Sequence, residues 1–178
     1  MKTRKASDLT ILCSPAGRED EIAALVLAAF RRRFGTGPEE VAILSALRRD
    51  GDVLLELMAM EDGVILGHAM FSGMRATPDD RRIAALGPVA VRIDRQREGI
   101  GGALIRAGLE RCRRTGTQAV AVLGDPIYYA LFGFSAELAA PIACSFAGPH
   151  FQALELQIGA LAGTTALHYA PAFQSSSV

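Results

Sequence analysis

The chain has 178 residues, a length that fits one ordinary domain. Half of its residues are hydrophobic, which is enough to build a core and excludes a largely disordered protein. Nineteen basic residues balance nineteen acidic ones, so no net charge draws the chain toward nucleic acid or an anionic membrane. No apolar stretch reaches the roughly 20 residues of a membrane span, and the polar start, MKTRKASDLT, predicts a cytoplasmic protein.

We expect a single domain over the whole chain, with flexible ends at residues 1–7 and 174–178. No internal repeat or low-complexity tract interrupts it. The three cysteines, Cys13, Cys112 and Cys144, are odd in number and far apart, which argues against a disulfide framework and against a metal site. We therefore predict three buried, reduced thiols and no bound metal.

The first part of the chain alternates between strand and helix signals. A short apolar run at residues 9–13 predicts a strand, and Ser14 with Pro15 supplies a helix start. Apolar residues at three-and-four spacing predict the helix that follows, which ends in a solvated run of arginines. Pro38 opens a second, shorter helix, and Gly51 is placed to terminate it.

A hairpin and a central strand are predicted next. Two apolar runs, residues 53–60 and 64–71, are joined by the turn-forming residues 61–63, which is typical of an antiparallel hairpin. Residues 83–93 are too continuously apolar for a strand with one face in water. We therefore expect this third strand to lie centrally in the sheet.

The following segment predicts a parallel crossover. Residues 101–114 carry an apolar stripe at helical spacing, with Arg106 and Glu110 as an i,i+4 pair on the exposed face. A short strand at residues 118–123 comes next, and strand, helix, strand in this order implies a right-handed crossover. The chain closes with an aromatic segment, a proline-broken loop and an alternating strand, the first at residues 128–134 and the last at 153–158. The fold class is mixed α/β.

Three glycines, Gly99, Gly101 and Gly102, lie where the central strand passes into the helix. The first amides of a helix lack intrahelical partners and are partially positive, which suits a phosphate, and glycines let its oxygens approach the backbone. Arg95 and Arg97 add full positive charges nearby. This pattern favours local binding of a phosphate.

Two familiar phosphate loops do not fit this segment. A P-loop needs Gly-Lys followed by Ser or Thr, and a dinucleotide fingerprint needs its third glycine where Leu104 stands. A glycine-rich turn without any ligand is the alternative that these residues leave open.

The arrangement resembles the GCN5-related N-acetyltransferase family, whose acetyl-CoA motif is a strand followed by Gln/Arg-x-x-Gly-x-Gly/Ala at the start of a helix. That motif corresponds to QREGIG at residues 96–101. A second family motif, Tyr-x-x-x-Gly-Phe, falls on Tyr129, Gly133 and Phe134. The segments LGPVAV, QAVAVLGD and DPIYYALFGF are similar to a bacterial subgroup related to YhbS, and the resemblance covers nearly the whole chain. It implies a mostly antiparallel mixed sheet with one parallel strand-helix-strand crossover and flanking helices.

The resemblance also implies a site for acetyl-CoA as cosubstrate. The strand residues Val89, Ala90 and Val91 would offer backbone groups to the pantetheine arm. The motif residues around the pyrophosphate would be Gln96, Arg97, Glu98, Gly99, Ile100, Gly101 and Gly102. Many relatives carry a basic or small residue in place of Glu98, and a carboxylate facing phosphates would be repelled. We expect Glu98 to point outward.

The implied chemistry is direct attack of an amine on the acetyl thioester in a ternary complex, with coenzyme A leaving as a thiolate. A backbone amide near Ala90 or Val91 would polarise the thioester carbonyl. By resemblance, Tyr129 would protonate the leaving sulfur, with Tyr128 as its reserve. The alternative for either tyrosine is a core aromatic whose hydroxyl is hydrogen-bonded within the protein.

A general base matters most for a lysine-like acceptor, because an amine of pKa about 10.4 is almost entirely protonated at pH 7. Glu56 and His68, in the two hairpin strands, are candidates for this base, since the family usually places the acceptor over this side of the sheet. Both are open to a purely structural interpretation. His150 and His168 lie near the C-terminal strand and lack a partner motif.

The sequence therefore predicts an N-acetyltransferase that moves the acetyl group of acetyl-CoA to a primary amine, of a small molecule or of a protein N-terminus. No nucleic-acid or membrane partner is expected, and a homodimer is left open. The alternative is a non-catalytic acyl-CoA sensor or interaction module, since a cofactor loop does not prove an acceptor site. A longer acyl group is a third alternative, because one sequence does not reveal the pocket walls.

Overall fold

The computed structural model describes residues 9–13, 17–35, 37–78 and 80–174 of the chain. Its strands are β1 (Thr10–Cys13), β2 (Val53–Glu61), β3 (Val64–Thr77), β4 (Ile83–Val91), β5 (Ala119–Leu123), β6 (Phe151–Glu155) and β7 (Ala166–His168). Its helices are α1 (Glu19–Phe34), α2 (Pro38–Asp50), α3 (Ile100–Arg114), α4 (Pro126–Ala130) and α5 (Ala136–Ala139). Short 3-10 turns lie at Ile93–Arg95 and Pro171–Phe173.

The strands form one sheet in the order β1-β2-β3-β4-β5-β6, and β7 pairs with the end of β3. β4 and β5 run parallel, whereas the other strand pairs are antiparallel. The parallel pair is connected through α3, so the chain makes the crossover that the sequence predicts. The mixed α/β class, with a mostly antiparallel sheet and one parallel crossover, is confirmed.

The helices cover both faces of the sheet. Alternation along β2 sends Met58 to one face, where it packs with α1 and α2, and Leu57 to the other, where it packs with α3. α3 lies very close to β3, since a Cβ on Gly108 would be 2.2 Å from the ring of Phe71. The missing side chain at Gly108 therefore allows α3, and the loop that precedes it, to approach the sheet.

β4 separates from β5 before β4 ends. Their parallel ladder stops at Leu86 and Val122. β4 nevertheless continues to Val91, still paired with β3 on its other side. Residues 87–91 therefore have one edge toward β3 and one edge that is not paired with β5.

The backbone groups along this edge alternate in direction. The Arg92 amide donates to the Leu66 carbonyl of β3 at 2.8 Å. In an antiparallel ladder every second residue is bonded to the partner strand, so Ala90 is the next residue whose backbone groups point toward β3. The amides and carbonyls of Val89 and Val91 consequently point toward the separated edge.

The described residues include only some of the predicted start and stop positions of α1 and α2. α2 begins at Pro38, and Gly51 closes it with a left-handed φ of 77°, both as predicted. α1 begins at Glu19 with no side-chain cap. The predicted start at Ser14 and Pro15 lies outside the described residues.

The C-terminal part departs most from the sequence prediction. The last long strand is Phe151–Glu155 rather than residues 153–158, and β7 and α5 were not predicted. α4 and α5 each begin at a side-chain cap, where Asp125 accepts from the Ile127 amide at 2.9 Å and Ser135 from the Leu138 amide at 3.1 Å. Elements of three to five residues carry too short a pattern to be distinguished from loop in the sequence.

The prediction of three buried thiols holds fully only for Cys112. All three cysteines are free, Cys112 is buried and Cys144 is half-buried, but Cys13 is exposed. Cys13 ends the edge strand β1, which is largely exposed, and its sulfur lies 3.1 Å from Nη1 of Arg111. A short apolar run does not distinguish a central strand from an edge strand. β1 lies at the edge of the sheet with one neighbouring strand, so it buries less of its surface than a central strand would.

The predicted flexible ends, residues 1–7 and 174–178, lie outside the described residues apart from Gln174. Within the described ranges, the helices are too short or too polar to cross a membrane. In the same ranges, no three histidine, cysteine, aspartate or glutamate side chains come together in a way that could hold a metal ion.

Candidate active site

A cavity of about 890 Å³ opens where β4 and β5 separate. Residues 86–91 of β4, the first turn of α3 and the segment around α4 line one part of it. α1, α2 and the segment after β6 line the other part. The separated strand edge therefore faces a space bounded by helices from both faces of the sheet.

The glycine-rich turn forms a narrow cradle in this cavity. Arg97 and Gly99 have left-handed backbones, with φ of 67° and 86°, and Gly99 caps the start of α3. A Cβ on Gly101 would lie 3.2 Å from the Tyr128 hydroxyl, and one on Gly102 would lie 3.1 Å from Nη1 of Arg106. The first turn of α3 thus exposes backbone in a space that larger residues would fill.

Two arginines line the cavity beside this cradle, Arg97 and Arg106. Arg106 also lies over the ring of Phe132, 5.2 Å from its centroid. The predicted pair of Arg106 with Glu110 does not form, because Glu110 lies 3.3 Å from Arg113 instead. Sequence reasoning therefore missed Arg106 as a site residue by assigning its charge to the solvated face of α3.

Arg95 and Glu98 do not line the cavity. Arg95 donates to Glu61 and to Glu98, each at 2.7 Å, and these two carboxylates raise the pKa of its guanidinium. Glu98 is therefore held by a cation outside the cavity, which agrees with the expectation that it points outward. Arg95 therefore links the turn to Glu61 of β2 and does not add positive charge to the cradle.

The three predicted residues of β4, Val89, Ala90 and Val91, all line the cavity. Only Val89 and Val91 direct their amides toward it, as the alternation along β4 requires. The Val91 carbonyl accepts from the side-chain amide of Gln96 at 3.1 Å. Gln96 thus links the end of β4 to the turn. Among the described hydrogen bonds, the backbone amide and carbonyl of Val89 have no such side-chain contact.

Both predicted tyrosines line the cavity from α4. The ring of Tyr129 crosses Gly124 so closely that a Cβ there would lie 2.3 Å from Cε2 of the tyrosine. It also packs edge-on against Tyr128 and Phe134, with centroids 5.2 and 5.7 Å apart. Burial raises the pKa of Tyr129 to about 12, with a smaller raising effect of Tyr128 and an opposing effect of Arg33.

The two base candidates from the hairpin, Glu56 and His68, lie outside the cavity lining. His68 is fully buried, and its Nε2 lies 2.8 Å from Oε1 of Glu56, which also accepts from Arg48 of α2. Burial acts to raise the pKa of Glu56, but the hydrogen bonds from His68 and Arg48 outweigh it and leave that pKa at about 2. Burial lowers the pKa of His68, despite the raising effect of Glu56.

The remaining histidines lie away from the cavity as well. Nδ1 of His150 is 3.2 Å from the Gly124 carbonyl, and Nε2 of His168 is 3.2 Å from the Thr77 hydroxyl. Neither residue lines the cavity.

Sequence reasoning missed the second part of the cavity entirely. Its lining residues come from the end of α1, the start of α2 and three C-terminal aromatic residues: Phe30, Arg33, Phe34, Glu39, Glu40, Ile43, Phe146, Tyr169 and Phe173. These residues come from three separate segments of the chain, so no single linear motif contains them. Only tertiary packing brings them together, so a linear motif had no means of finding them.

The sequence matches known acetyltransferases over most of its length. The model of the Acetyltransferase (GNAT) family matches residues 12–133. The Uncharacterized N-acetyltransferase YhbS of Escherichia coli K12 is 32% identical over 152 residues, which are 84% of this chain and 91% of that protein. A second Escherichia coli K12 protein, the Uncharacterized N-acetyltransferase YjhQ, is 38% identical over 108 residues, which are 58% of this chain and 59% of that protein.

Solved structures match the fold over nearly the whole chain. The crystal structure of the GNAT family N-acetyltransferase YhbS from Escherichia coli, in complex with CoA, gives a TM-score of 0.83 at 29% identity, covering 98% of this chain and 96% of that one. A GNAT family acetyltransferase from Brucella melitensis, in complex with acetyl-CoA, gives 0.80 at 35% identity, covering 94% and 99%. By the extent of the family match and of these relatives, the chain belongs to the GNAT acetyltransferase family.

Proposed function

We propose that the protein transfers the acetyl group of acetyl-CoA to a primary amine by direct attack in a ternary complex. The observation that carries this proposal is the separated edge of β4 beside the exposed first turn of α3, in one cavity. Two GNAT structures with full-length similarity contain CoA or acetyl-CoA, which supports the same cosubstrate here.

The residues of the cavity fit acetyl-CoA. The backbone around Gly99, Gly101 and Gly102 suits a pyrophosphate because helix-start amides bind anions, and Arg97 and Arg106 add positive charge. The backbone of Val89 suits the amide-rich pantetheine arm, which would extend along β4 like a short strand. The thioester would then lie beside the end of the ladder between β4 and β5.

The transfer needs one bond made and one broken. The amine nitrogen attacks the thioester carbon, and the resulting oxyanion is stabilised by an amide of β4, for which Val89 and Val91 have the required direction. The carbon–sulfur bond then breaks, and the nitrogen loses a proton to water. The coenzyme A thiolate takes a proton from Tyr129, with Tyr128 as the alternative donor.

The acidity of Tyr129 makes this last step demanding. A phenol of pKa about 12 donates to a thiolate whose thiol has a pKa of about 8.5, so the transfer is uphill by roughly 3.5 pKa units. Arg33, which lines the same cavity, favours the phenolate, and its lowering effect is already included in the pKa of about 12. Solvent then reprotonates the tyrosine after coenzyme A leaves.

Glu56 and His68 do not act as a general base in direct contact with the acceptor amine, since neither residue lines the cavity. The acceptor amine therefore loses its proton to water before it attacks, so turnover should rise with pH toward the pKa of the amine.

The test is release of free thiol from acetyl-CoA by the purified protein in the presence of a panel of primary amines, with the acetylated product identified by mass. We expect release to depend on both the enzyme and an amine. Coenzyme A binding without release for any amine would support the non-catalytic sensor instead. The control is Ile158→Ala, which changes a fully exposed side chain away from the cavity and should leave release unchanged.

A further inference from the structure

The part of the cavity contributed by α1, α2 and the C-terminal segment is rich in aromatic rings. The residues that form this aromatic wall are Phe30, Phe34, Phe146, Tyr169 and Phe173. Tyr169 joins the C-terminal rings, with centroids 5.2 Å from that of Phe146 and 5.0 Å from that of Phe173. Phe30 and Phe34 lie 5.6 Å apart on the last turns of α1. An apolar or aromatic group would find contacts from two separate elements here.

Phe34 is the one solvent-exposed residue of the aromatic wall. It is 59% exposed although it lines the cavity, and Arg33 lies against its ring at 5.1 Å from the centroid. An exposed phenylalanine that lines a cavity has contact surface to offer to a ligand. Its truncation should also leave the packed core of the protein intact.

The aromatic wall includes one buried polar group. Tyr169 is 9% exposed, and its hydroxyl has no hydrogen-bond partner among the described residues. A buried hydroxyl without a partner is costly for the folded protein.

Negative charge lies next to the same wall. Glu39 and Glu40, in the first turn of α2, line the cavity, and Glu39 also accepts from the Gly37 amide at 3.2 Å. The cradle instead carries Arg97 and Arg106. The carboxylates of the cavity thus come from α2, on the side that also carries the aromatic wall and Arg33, whereas Arg97 and Arg106 lie at the cradle. Both carboxylates and aromatic faces attract an ammonium group.

We propose that the acceptor is a small primary monoamine on an aromatic body, of the arylalkylamine class. This inference rests on the proposed acetyltransferase function. The aromatic wall would hold the ring of the acceptor, and the carboxylates of α2 would attract its ammonium group before the neutral amine attacks. A polyamine or an aminated sugar fits less well, because each further charge or hydroxyl would be desolvated against phenylalanine rings.

The experiment compares kcat/KM for phenethylamine with that for ethylamine, spermidine and a short peptide with a free N-terminus, all at saturating acetyl-CoA. Burial of a phenyl ring predicts that phenethylamine exceeds ethylamine by roughly 10- to 100-fold. Higher kcat/KM for spermidine or for the peptide would overturn the arylalkylamine proposal while leaving the acetyltransferase function in place. Absence of thiol release with every amine would instead overturn the proposed function, and this inference with it.

Two variants connect the preference to the aromatic wall. Phe34→Ala should raise KM for phenethylamine about 10-fold, raise KM for ethylamine much less, and leave the KM for acetyl-CoA unchanged. Glu40→Gln should raise KM for both amines and leave the KM for acetyl-CoA unchanged. The matched control is Leu54→Ala, which removes an exposed apolar side chain outside the cavity. An unchanged ratio of phenethylamine to ethylamine in Phe34→Ala would show that the wall does not bind the acceptor.

Discussion

The ring of Tyr129 packs directly against Gly124, and any larger residue at position 124 would overlap it. Its ring would remain packed against Tyr128 and Phe134 if only the hydroxyl were removed. Tyr129→Phe therefore separates an acid from a packing residue. If Tyr129 is the acid, kcat of Tyr129→Phe should be roughly 10²- to 10⁴-fold lower, with coenzyme A affinity unchanged. The measurement uses an acceptor found in the amine panel.

The control for this prediction is Tyr128→Phe. Tyr128 is 37% exposed, and its hydroxyl lies next to Gly101 rather than across Gly124. We expect this substitution to affect kcat much less than Tyr129→Phe. A folded Tyr129→Phe protein with full kcat, beside an impaired Tyr128→Phe protein, would transfer the acid role to Tyr128.

The cluster of Arg48, Glu56 and His68 predicts how stability depends on pH. Burial lowers the pKa of His68 in the folded state, so below the ordinary value of about 6.5 the unfolded chain binds more protons than the folded one. Stability should therefore fall as pH decreases from 7 through 6.5. The contribution of Glu56 is lost only at lower pH, between about 4.5 and its folded pKa of about 2.

The measurement is the midpoint of urea unfolding at pH 7.5, 6.5 and 5.5. His68→Gln keeps a side chain that can bond to Glu56 but removes the titration, so its midpoint should change less over this range than that of the parent. The matched control is His150→Gln, an exposed histidine outside the cluster, which should retain the parent's dependence. Equal slopes for the parent and His68→Gln would contradict the assignment to His68.

At the scale of the elements, the close packing of α3 on β3 positions the cradle. A Cβ on Gly108 would lie 2.2 Å from Cε2 and 2.4 Å from Cζ of Phe71, and both residues are buried. Gly108→Ala should therefore destabilise the protein by about 1–3 kcal/mol through overpacking, despite the better helix propensity of alanine. The free energy of unfolding in urea checks this value.

Gly73→Ala is the comparison for Gly108→Ala. A Cβ on Gly73 would meet nothing nearer than the Asp52 carbonyl at 3.9 Å, and the residue lies in β3 like Phe71. It should be tolerated. Similar losses for both variants would mean that the α3–β3 distance is not limited at Gly108.

Several elements follow from local sequence signals because the physical cause is itself local. Pro38 and Gly51 delimit α2 through fixed and left-handed φ, and the turn at residues 61–63 joins two apolar runs. The cradle at Gly99 was predicted for the same reason, since a strand-to-helix turn is encoded within a few residues. These signals do not depend on what the rest of the chain does.

The residues that the sequence did not indicate depend on distant contacts. Arg106 has an acidic neighbour at i+4, yet it faces the cavity because Phe132, from the segment after α4, offers its ring. His68 looked like a lone strand histidine, and its pairing with Glu56 and Arg48 requires α2 to pack over the hairpin. The aromatic wall needs α1, α2 and the C-terminal segment together. Each of these features is set by packing, not by spacing.

At the scale of the whole molecule, the cavity joins elements from both faces of the sheet, so a ligand that fills it should stabilise the entire fold. A ligand bound only by the folded state adds about 2.7 kcal/mol at a hundredfold excess over Kd. For a domain of this size that corresponds to a rise in Tm of roughly 5–10 °C. We predict a rise of this order with millimolar acetyl-CoA, measured by calorimetry, and a smaller one with pantetheine, which lacks the pyrophosphate.

Gly101→Asp tests whether that protection comes from the cradle. The substitution places a carboxylate where the phosphates should bind, whereas Gly101→Ala adds only a methyl group 3.2 Å from the Tyr128 hydroxyl. Both variants should fold, since Gly101 has no left-handed backbone requirement and lies at the start of α3. The rise in Tm with acetyl-CoA should nearly vanish in Gly101→Asp and shrink only partly in Gly101→Ala, because charge repulsion adds to the steric effect in the first and not in the second. A full rise in folded Gly101→Asp would mean that the phosphates bind elsewhere in the cavity.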